Sequence, residues 1–174
     1  MHLTWLELTD FRSYPSLRIE LDPATNLFVG DNGLGKTNVL EAAAYLSRLK
    51  SFRGAPDKAL VRDGADGAVL RGEFATTDRT HLVEVEIPAD GRRRVRFNNK
   101  KPKRYSDVAA EVPVVTFLPD DVGLIKGGPG NRRDYLDELA AALSPVAGAA
   151  QSDLAQALKQ RNALLRNFGR DAPD

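Results

Sequence analysis

The residues Gly30-Asp31-Asn32-Gly33-Leu34-Gly35-Lys36-Thr37 carry the spacing G-x-x-x-x-G-K-T, the pattern of a loop that cradles phosphate groups. The chemistry demands those residue types. Glycines let the backbone turn so that successive N–H groups face one concavity and bind phosphate oxygens. A helix opening at Thr37 adds the positive end of its dipole. The Lys36 ammonium is placed to reach the β- and γ-phosphates, and the Thr37 hydroxyl to ligate Mg2+. The opposing interpretation is a chance glycine turn with a solvated lysine, and the flanking elements argue against it.

Those elements are an apolar run before the loop, Asn26-Leu27-Phe28-Val29, predicted as a short buried strand, and a helix after it over Thr37 to Leu49. Val39, Leu40, Ala43, Ala44 and Leu46 supply its apolar face. Upstream, Leu3 to Thr9 and Leu17 to Leu21 alternate as strands, joined by a turn around Ser13-Tyr14-Pro15. Downstream, Lys50 to Gly67 reads as loop. Ala68 to Ala75, His81 to Ile87 and Arg92 to Asn98 then form an antiparallel meander with tight polar links. Val112 to Leu118 is a further apolar run, ended by Pro119. From Arg132 onward leucines recur at helical spacing, with Pro145 and Gly148 separating two helices. Gly169 to Asp174 reads as a frayed end.

A guanine-specific nucleotide site would carry Asn-Lys-x-Asp. The nearest string, Asn99-Lys100-Lys101-Pro102, lacks the Asp, so ATP is favoured. Hydrolysis also needs a second magnesium-site carboxylate after an apolar strand. Val114 to Asp121 offers two acids, Asp120 and Asp121, but Pro119 interrupts the strand, and Pro119-Asp120-Asp121 reads more easily as a helix start. No Leu-Ser-Gly-Gly string follows. A nucleotide-binding half is legible; catalytic residues are not.

The bulk composition narrows the classes. The 174 residues suit one well-buried core, and the formal charge of +1 requires any nucleic-acid contact to be local. With no cysteine and two histidines, thiolate sites, disulfides and a histidine-rich metal site are excluded. No stretch is apolar enough to span a bilayer, and the N-terminus lacks the marks of a signal peptide, so a cytoplasmic location without membrane contact is expected.

One segment is strongly basic. From Arg92 to Arg104 there is no acid, and strand alternation puts Arg92, Arg94 and Arg96 on one face, opposite Arg93, Val95 and Phe97. Lys100, Lys101, Lys103 and Arg104 extend the positive surface. A DNA phosphate backbone is one candidate partner; a solvated edge strand protected by charge is the other interpretation. Arg132 and Arg133 stay open between the same two.

Six strings in order resemble the RecF family of ABC-type ATPases, the wider group that includes the SMC proteins. They are Leu6 to Tyr14, Gly33 to Ala42, Ser51-Phe52-Arg53, Val115 to Asp121, Gly128 to Asp137 and Leu158 to Leu165. The resemblance implies an α/β P-loop NTPase of the ABC-ATPase type. Its parts are a mixed sheet, an antiparallel meander and the start of a helical arm, with residues 1–143 as head lobe and 144–174 as arm. It implies ATP with Mg2+ as ligands, ATP-dependent binding of single-strand/double-strand DNA in replication-linked repair, an ATP-dependent homodimer, and recombination mediator proteins as partners. It places Arg12 and Ser13 at the nucleotide phosphates and sugar, and Asn32 near the γ-phosphate; Arg12 pairing with Asp10, or Asn32 chosen for turn geometry, are the plainer alternatives. In this family the signature, the magnesium acids and the catalytic glutamate lie in a C-terminal half, so the chain is expected to be an N-terminal portion. The glutamine loop is a departure, since Val112 to Asp121 contains no glutamine. The rival from another class is a stand-alone small P-loop kinase or NTPase with Asp120 or Asp121 on magnesium. A regulatory module that binds nucleotide without hydrolysis is a third.

Overall fold

The computed structural model describes residues 1–122 and 126–168. The chain divides into two compact units, Met1–Thr116 and Phe117–Asp174. In the first, alternation of Leu6 and Leu8 with Glu7 and Thr9 produces a long strand, β1 (His2–Phe11), which turns back into β2 (Tyr14–Glu20). The meander forms as β3 (Gly67–Ala75), β4 (Thr80–Pro88) and β5 (Arg94–Phe97). The sheet order is β2-β1-β3-β4-β5 and every pairing is antiparallel. Period-two alternation sends Leu6, Leu8, Ala68, Leu70, Phe74, Val83, Val85, Ile87 and Val95 to one face, all buried. Onto that face packs α1 (Lys36–Arg48), through Val39, Ala42, Tyr45 and Leu46.

The opposite face is a charge ladder. Arg18 Nη1 lies 2.9 Å from Glu7, Arg71 bridges Glu7 at 3.0 Å and Glu84 at 3.1 Å, and Arg94 reaches Glu86 at 3.3 Å. Hydrogen bonds from Arg18 first and Arg71 second hold the Glu7 carboxyl below its usual value of 4.5. A depressed carboxyl contributes stability above the unfolded-state value, and that contribution is lost as pH falls through the folded one. Glu7→Gln is therefore expected to flatten the loss of stability as pH falls below the usual carboxyl value of 4.5, read from urea midpoints.

Several expectations shift. Asn26–Val29 is not a strand: Asp22 and Asn26 fold the approach into a side-chain-bonded turn, with Asp22 N–H donating to Asn26 Oδ1 at 2.8 Å and Asn26 Nδ2 to the Asp22 carbonyl at 2.8 Å. Among the described residues no strand pairs with it, so the backbone has no ladder to join. Leu27 and Val29 are 83% and 82% exposed, while Phe28 packs on the core. The sheet of the described residues is accordingly antiparallel rather than mixed. The run after residue 112 likewise joins no strand of the described sheet, with Val115 95% exposed. A short helix that periodicity did not reveal, α2 (Tyr105–Glu111), buries Val108 against the core.

In the second unit, Pro119–Val122 is a 3-10 turn, as the helix-start interpretation of Pro119 expects. Beyond it, α3 (Pro129–Leu143) and α4 (Pro145–Phe168) pack on each other. Pro145 opens α4, where its missing N–H costs nothing; Gly148 lies inside the helix and not in the break. Leu136, Leu143, Leu154 and Leu165 are exposed. The expected frayed end, 169–174, lies outside the described residues. No described helix is long and apolar enough to cross a membrane.

Candidate phosphate-binding site

Gly30 to Thr37 forms the connection into α1, with Gly33 and Gly35 at φ +88° and +92°. Gly35 caps the helix in the left-handed conformation, its carbonyl accepting Asn38 N–H at 2.8 Å and Val39 N–H at 3.2 Å. The backbone N–H groups of residues 31–37 make no hydrogen bond of ordinary length and angle within the described residues. Donors in a row at the start of a helix form an anion cradle, because they lack partners and carry the helix's positive end. Lys36 Nζ folds over the loop, donating to the Gly30 carbonyl at 2.7 Å and the Asp31 carbonyl at 2.6 Å. Thr37 is exposed at the first turn of the helix. Asn32 is exposed in the loop, and Leu34 is 63% exposed. A ligand set of backbone donors, one ammonium and one hydroxyl fits a magnesium-bound polyphosphate. Among the described residues no cluster of three His, Cys, Asp or Glu could hold a metal by itself.

The β1–β2 turn is built against this loop. Arg12 adopts φ +53° at the turn, and Ser13 Oγ accepts Asn38 Nδ2 at 3.1 Å. A Cβ added at Gly35 would lie 2.8 Å from Ser13 Oγ and 3.0 Å from the Tyr14 ring. The structure thus brings together Ser13, Gly35, Lys36 and the start of α1.

Arg12 is engaged elsewhere. Its guanidinium forks onto Glu41, Nε to Oε2 at 3.0 Å and Nη2 to Oε1 at 2.9 Å, while Nη1 donates to the Ala59 carbonyl at 2.8 Å. Asp10, the acid that sequence offered as Arg12's partner, takes Arg62 at 2.7 Å. Glu41 is fully buried on α1 and also accepts Ser51 Oγ at 2.5 Å; Arg53 stands 3.7 Å from its other oxygen and 3.2 Å from Asn38 Oδ1. This hub, Glu41 with Arg12, Ser51 and Arg53, ties the turn, the helix and the following loop into one network. Sequence reasoning missed it. The available signal was a glutamate on the inward side of the helix, between Leu40 and Ala42.

The basic segment splits into two environments. Arg93 turns inward to Asp57 at 3.0 Å and the Tyr45 hydroxyl at 3.2 Å, and its guanidinium lies 5.3 Å from the Tyr105 ring centre. Burial, and then the 2.7 Å hydrogen bond to Asp57, push the Tyr45 phenol far above its usual value. Arg94 and Arg96 face outward opposite Glu86 and Glu84, and these four help line a shallow groove that includes no phosphate-loop residue. Arg92, Lys100, Lys101, Lys103 and Arg104 are exposed. In the second unit, Asp121 Oδ2 accepts the Leu118 N–H at 2.7 Å, the role of a turn cap; the Asp120 side chain lies outside what the structure describes.

The family model described as AAA ATPase domain matches residues 1–104. The DNA replication and repair protein RecF of Acidothermus cellulolyticus is 47% identical over 98% of this chain and 46% of its own length. RecF of Streptomyces avermitilis is 46% identical over 95% of the chain and 44% of its length. The chain therefore spans a little under half the length of these curated relatives. Among solved structures, the recombination mediator protein RecF-ATPrS in the RecFOR pathway superposes with a TM-score of 0.90 at 28% identity, covering 99% of this chain and 47% of that one. An SMC ATPase structure matches at a TM-score of 0.63 and 21% identity, over 80% of this chain and all of that one, a likeness of fold alone.

Proposed function

The chain belongs to the AAA ATPase domain family, and on that premise we propose that it is the ATP-binding portion of a DNA repair and recombination protein similar to RecF. The observation that carries this reading is the row of unpartnered backbone donors over residues 31–37 at the start of α1, with Lys36 folded onto the same loop. The backbone of Gly30, Asp31, Asn32, Gly33, Leu34 and Gly35 wraps the phosphates, Lys36 neutralises the outer ones, and the Thr37 hydroxyl ligates Mg2+. The nucleotide supplies the multiply charged group these donors are arranged to bind. Of the two turn residues, Ser13 reaches the loop with its side chain; Arg12 keeps Glu41 and acts on the nucleotide by holding the turn in place.

Binding of ATP favours pairing with a second copy when the pair makes contacts to the nucleotide that the single head lacks. The segment from residue 144 begins a helical arm in this reading, the lobe ends at 143, and the protein works in the cytoplasm with recombination mediator proteins as partners. DNA is met through its phosphate backbone by the basic segment between Arg92 and Arg104. The resemblance of these motifs to RecF and the positive surface support that contact.

Thr37→Ala tests the site's chemistry. In Mg2+ it is expected to weaken ATP binding about tenfold, equivalent to ~1.4 kcal/mol, and in EDTA to bind as the unaltered chain does. An equal loss in both conditions, followed by fluorescent-nucleotide displacement, would mean that the hydroxyl acts on the loop and not on the metal.

A further inference from the structure

We propose that the DNA backbone is met by the turn and segment after β5, Asn98–Arg104, and not by the arginine face of β5; this rests on the DNA-binding reading above. The register decides it. Arg94 stands opposite Glu86 and Arg96 opposite Glu84. Arg94 Nη1 lies 3.3 Å from both Glu86 oxygens, and Glu84 is also shared with Arg71. The outer face of the sheet is thus a lattice of alternating sign, Arg18, Glu7, Arg71, Glu84, Arg96, Glu86, Arg94. A phosphate approaching it meets three carboxylates interleaved with the four guanidiniums. Contact with Arg94, Arg71 or Arg18 requires breaking existing ion pairs, and Arg96 stands opposite Glu84 in register, which offsets what a new contact contributes.

Beyond Phe97 the surface changes character. Lys100, Lys101, Lys103 and Arg104 are exposed, and their cations have no carboxylate partner among the described residues. The nearest acid along the chain, Asp107, accepts the Arg104 backbone N–H at 3.2 Å as the start of α2. Their field, like that of exposed Arg92, is not spent inside the protein.

The segment is also held in shape. Asn98 and Asn99 both have positive φ, 49° and 62°, the geometry of a tight hairpin turn, for which asparagine is well suited. Phe97 N–H donates to the Lys100 carbonyl at 2.8 Å, and Lys100 N–H returns to Phe97 at 3.0 Å. Asn98 is clamped to the neighbouring strand, its N–H on the Leu82 carbonyl at 2.8 Å and its Oδ1 accepting Leu82 N–H at 2.9 Å. Beneath it the buried His81 ring stacks on Phe97 at 5.2 Å. Little backbone entropy is left to lose when ligand arrives. Flexible lysines on a rigid base suit phosphates read without regard to sequence.

The test is fluorescence anisotropy of a labelled duplex with a single-stranded gap, with ATP and Mg2+, at several salt concentrations. It compares the 174-residue chain with K100Q/K101Q/K103Q and with R94Q/R96Q. The lysine triple variant is expected to lower the slope of log affinity against log salt by about 2 to 3, at roughly 0.9 per phosphate contact. R94Q/R96Q should leave that slope unchanged, and all three proteins should bind ATP equally. A lost slope in R94Q/R96Q with the lysine variant unaffected overturns the assignment of surface while the DNA reading survives. Absence of DNA binding by the unaltered chain, with ATP still bound, overturns both. Displacement of the chain's basic turn by polyglutamate without any DNA affinity would assign the surface to an acidic protein instead.

Discussion

Replacing Glu41 by alanine is expected to cost about 3–5 kcal/mol of stability, the range for leaving a buried ion without its partner. The carboxylate is fully buried and receives two guanidinium hydrogen bonds from Arg12 and one from the Ser51 hydroxyl. Alanine removes all three hydrogen bonds at once. Arg12, with its side chain 20% exposed, keeps only the Ala59 carbonyl as a described partner. Against a typical total of about 5–15 kcal/mol, such a loss leaves a marginal fold. Glu41→Gln preserves shape and a single acceptor, so it should fall between wild type and alanine. Urea melts measure both. Because Arg12 and Glu41 form one unit, Arg12→Ala combined with Glu41→Ala should cost less than the sum of the two alone. Strict additivity would mean that the fork contributes nothing as a pair.

The second large effect concerns Gly35→Ala. The position has φ +92°, and the new methyl would sit 2.8 Å from Ser13 Oγ and 3.0 Å from the Tyr14 ring. Backbone strain alone is worth about 1–3 kcal/mol. The contact adds to it, and the escape route is to push the β1–β2 turn away from the loop. Since that turn shapes the phosphate cradle, ATP affinity should fall by roughly 100-fold or more, equivalent to about 2.8 kcal/mol. Gly33→Ala is the matched comparison. It has a similar φ, +88°, but nothing lies within 4 Å of the added methyl. It should show the strain without the displacement, and hence the smaller loss of ATP binding by titration calorimetry. If the two variants lose affinity equally, the packing of Ser13 and Tyr14 on the loop has no part in binding.

The candidate phosphate loop was legible because such chemistry demands particular residues at fixed spacing, and Gly30, Gly35, Lys36 and Thr37 meet that spacing locally. The meander was legible for a similar reason. Alternation over Ala68 to Ile87 is a backbone rule, and the register followed it. What sequence concealed depends on partners far along the chain. Helix α1 was expected to bury Leu40, yet Leu40 is 52% exposed and Glu41 is inside, because Arg12 and Ser51 meet the carboxylate there. Periodicity scores glutamate as an outward residue and has no term for a cation 29 positions away. Arg93 was placed correctly on the inner face, but its engagement with Asp57 and Tyr45 could not be read from a run of like residues. Asn26–Val29 failed for the complementary reason. Its apolar content is that of a strand, but a strand is a relation between two segments, and the described residues supply no neighbour.

The most direct measurement is calorimetric titration of ATP with Mg2+ into the 174-residue chain and into Lys36→Ala. Saturable binding at one site by the unaltered chain, abolished in Lys36→Ala while its urea midpoint is unchanged, is the expected result. Equal binding by both proteins, or none by the unaltered chain, would contradict the claim that Gly30 to Thr37 is a nucleotide site.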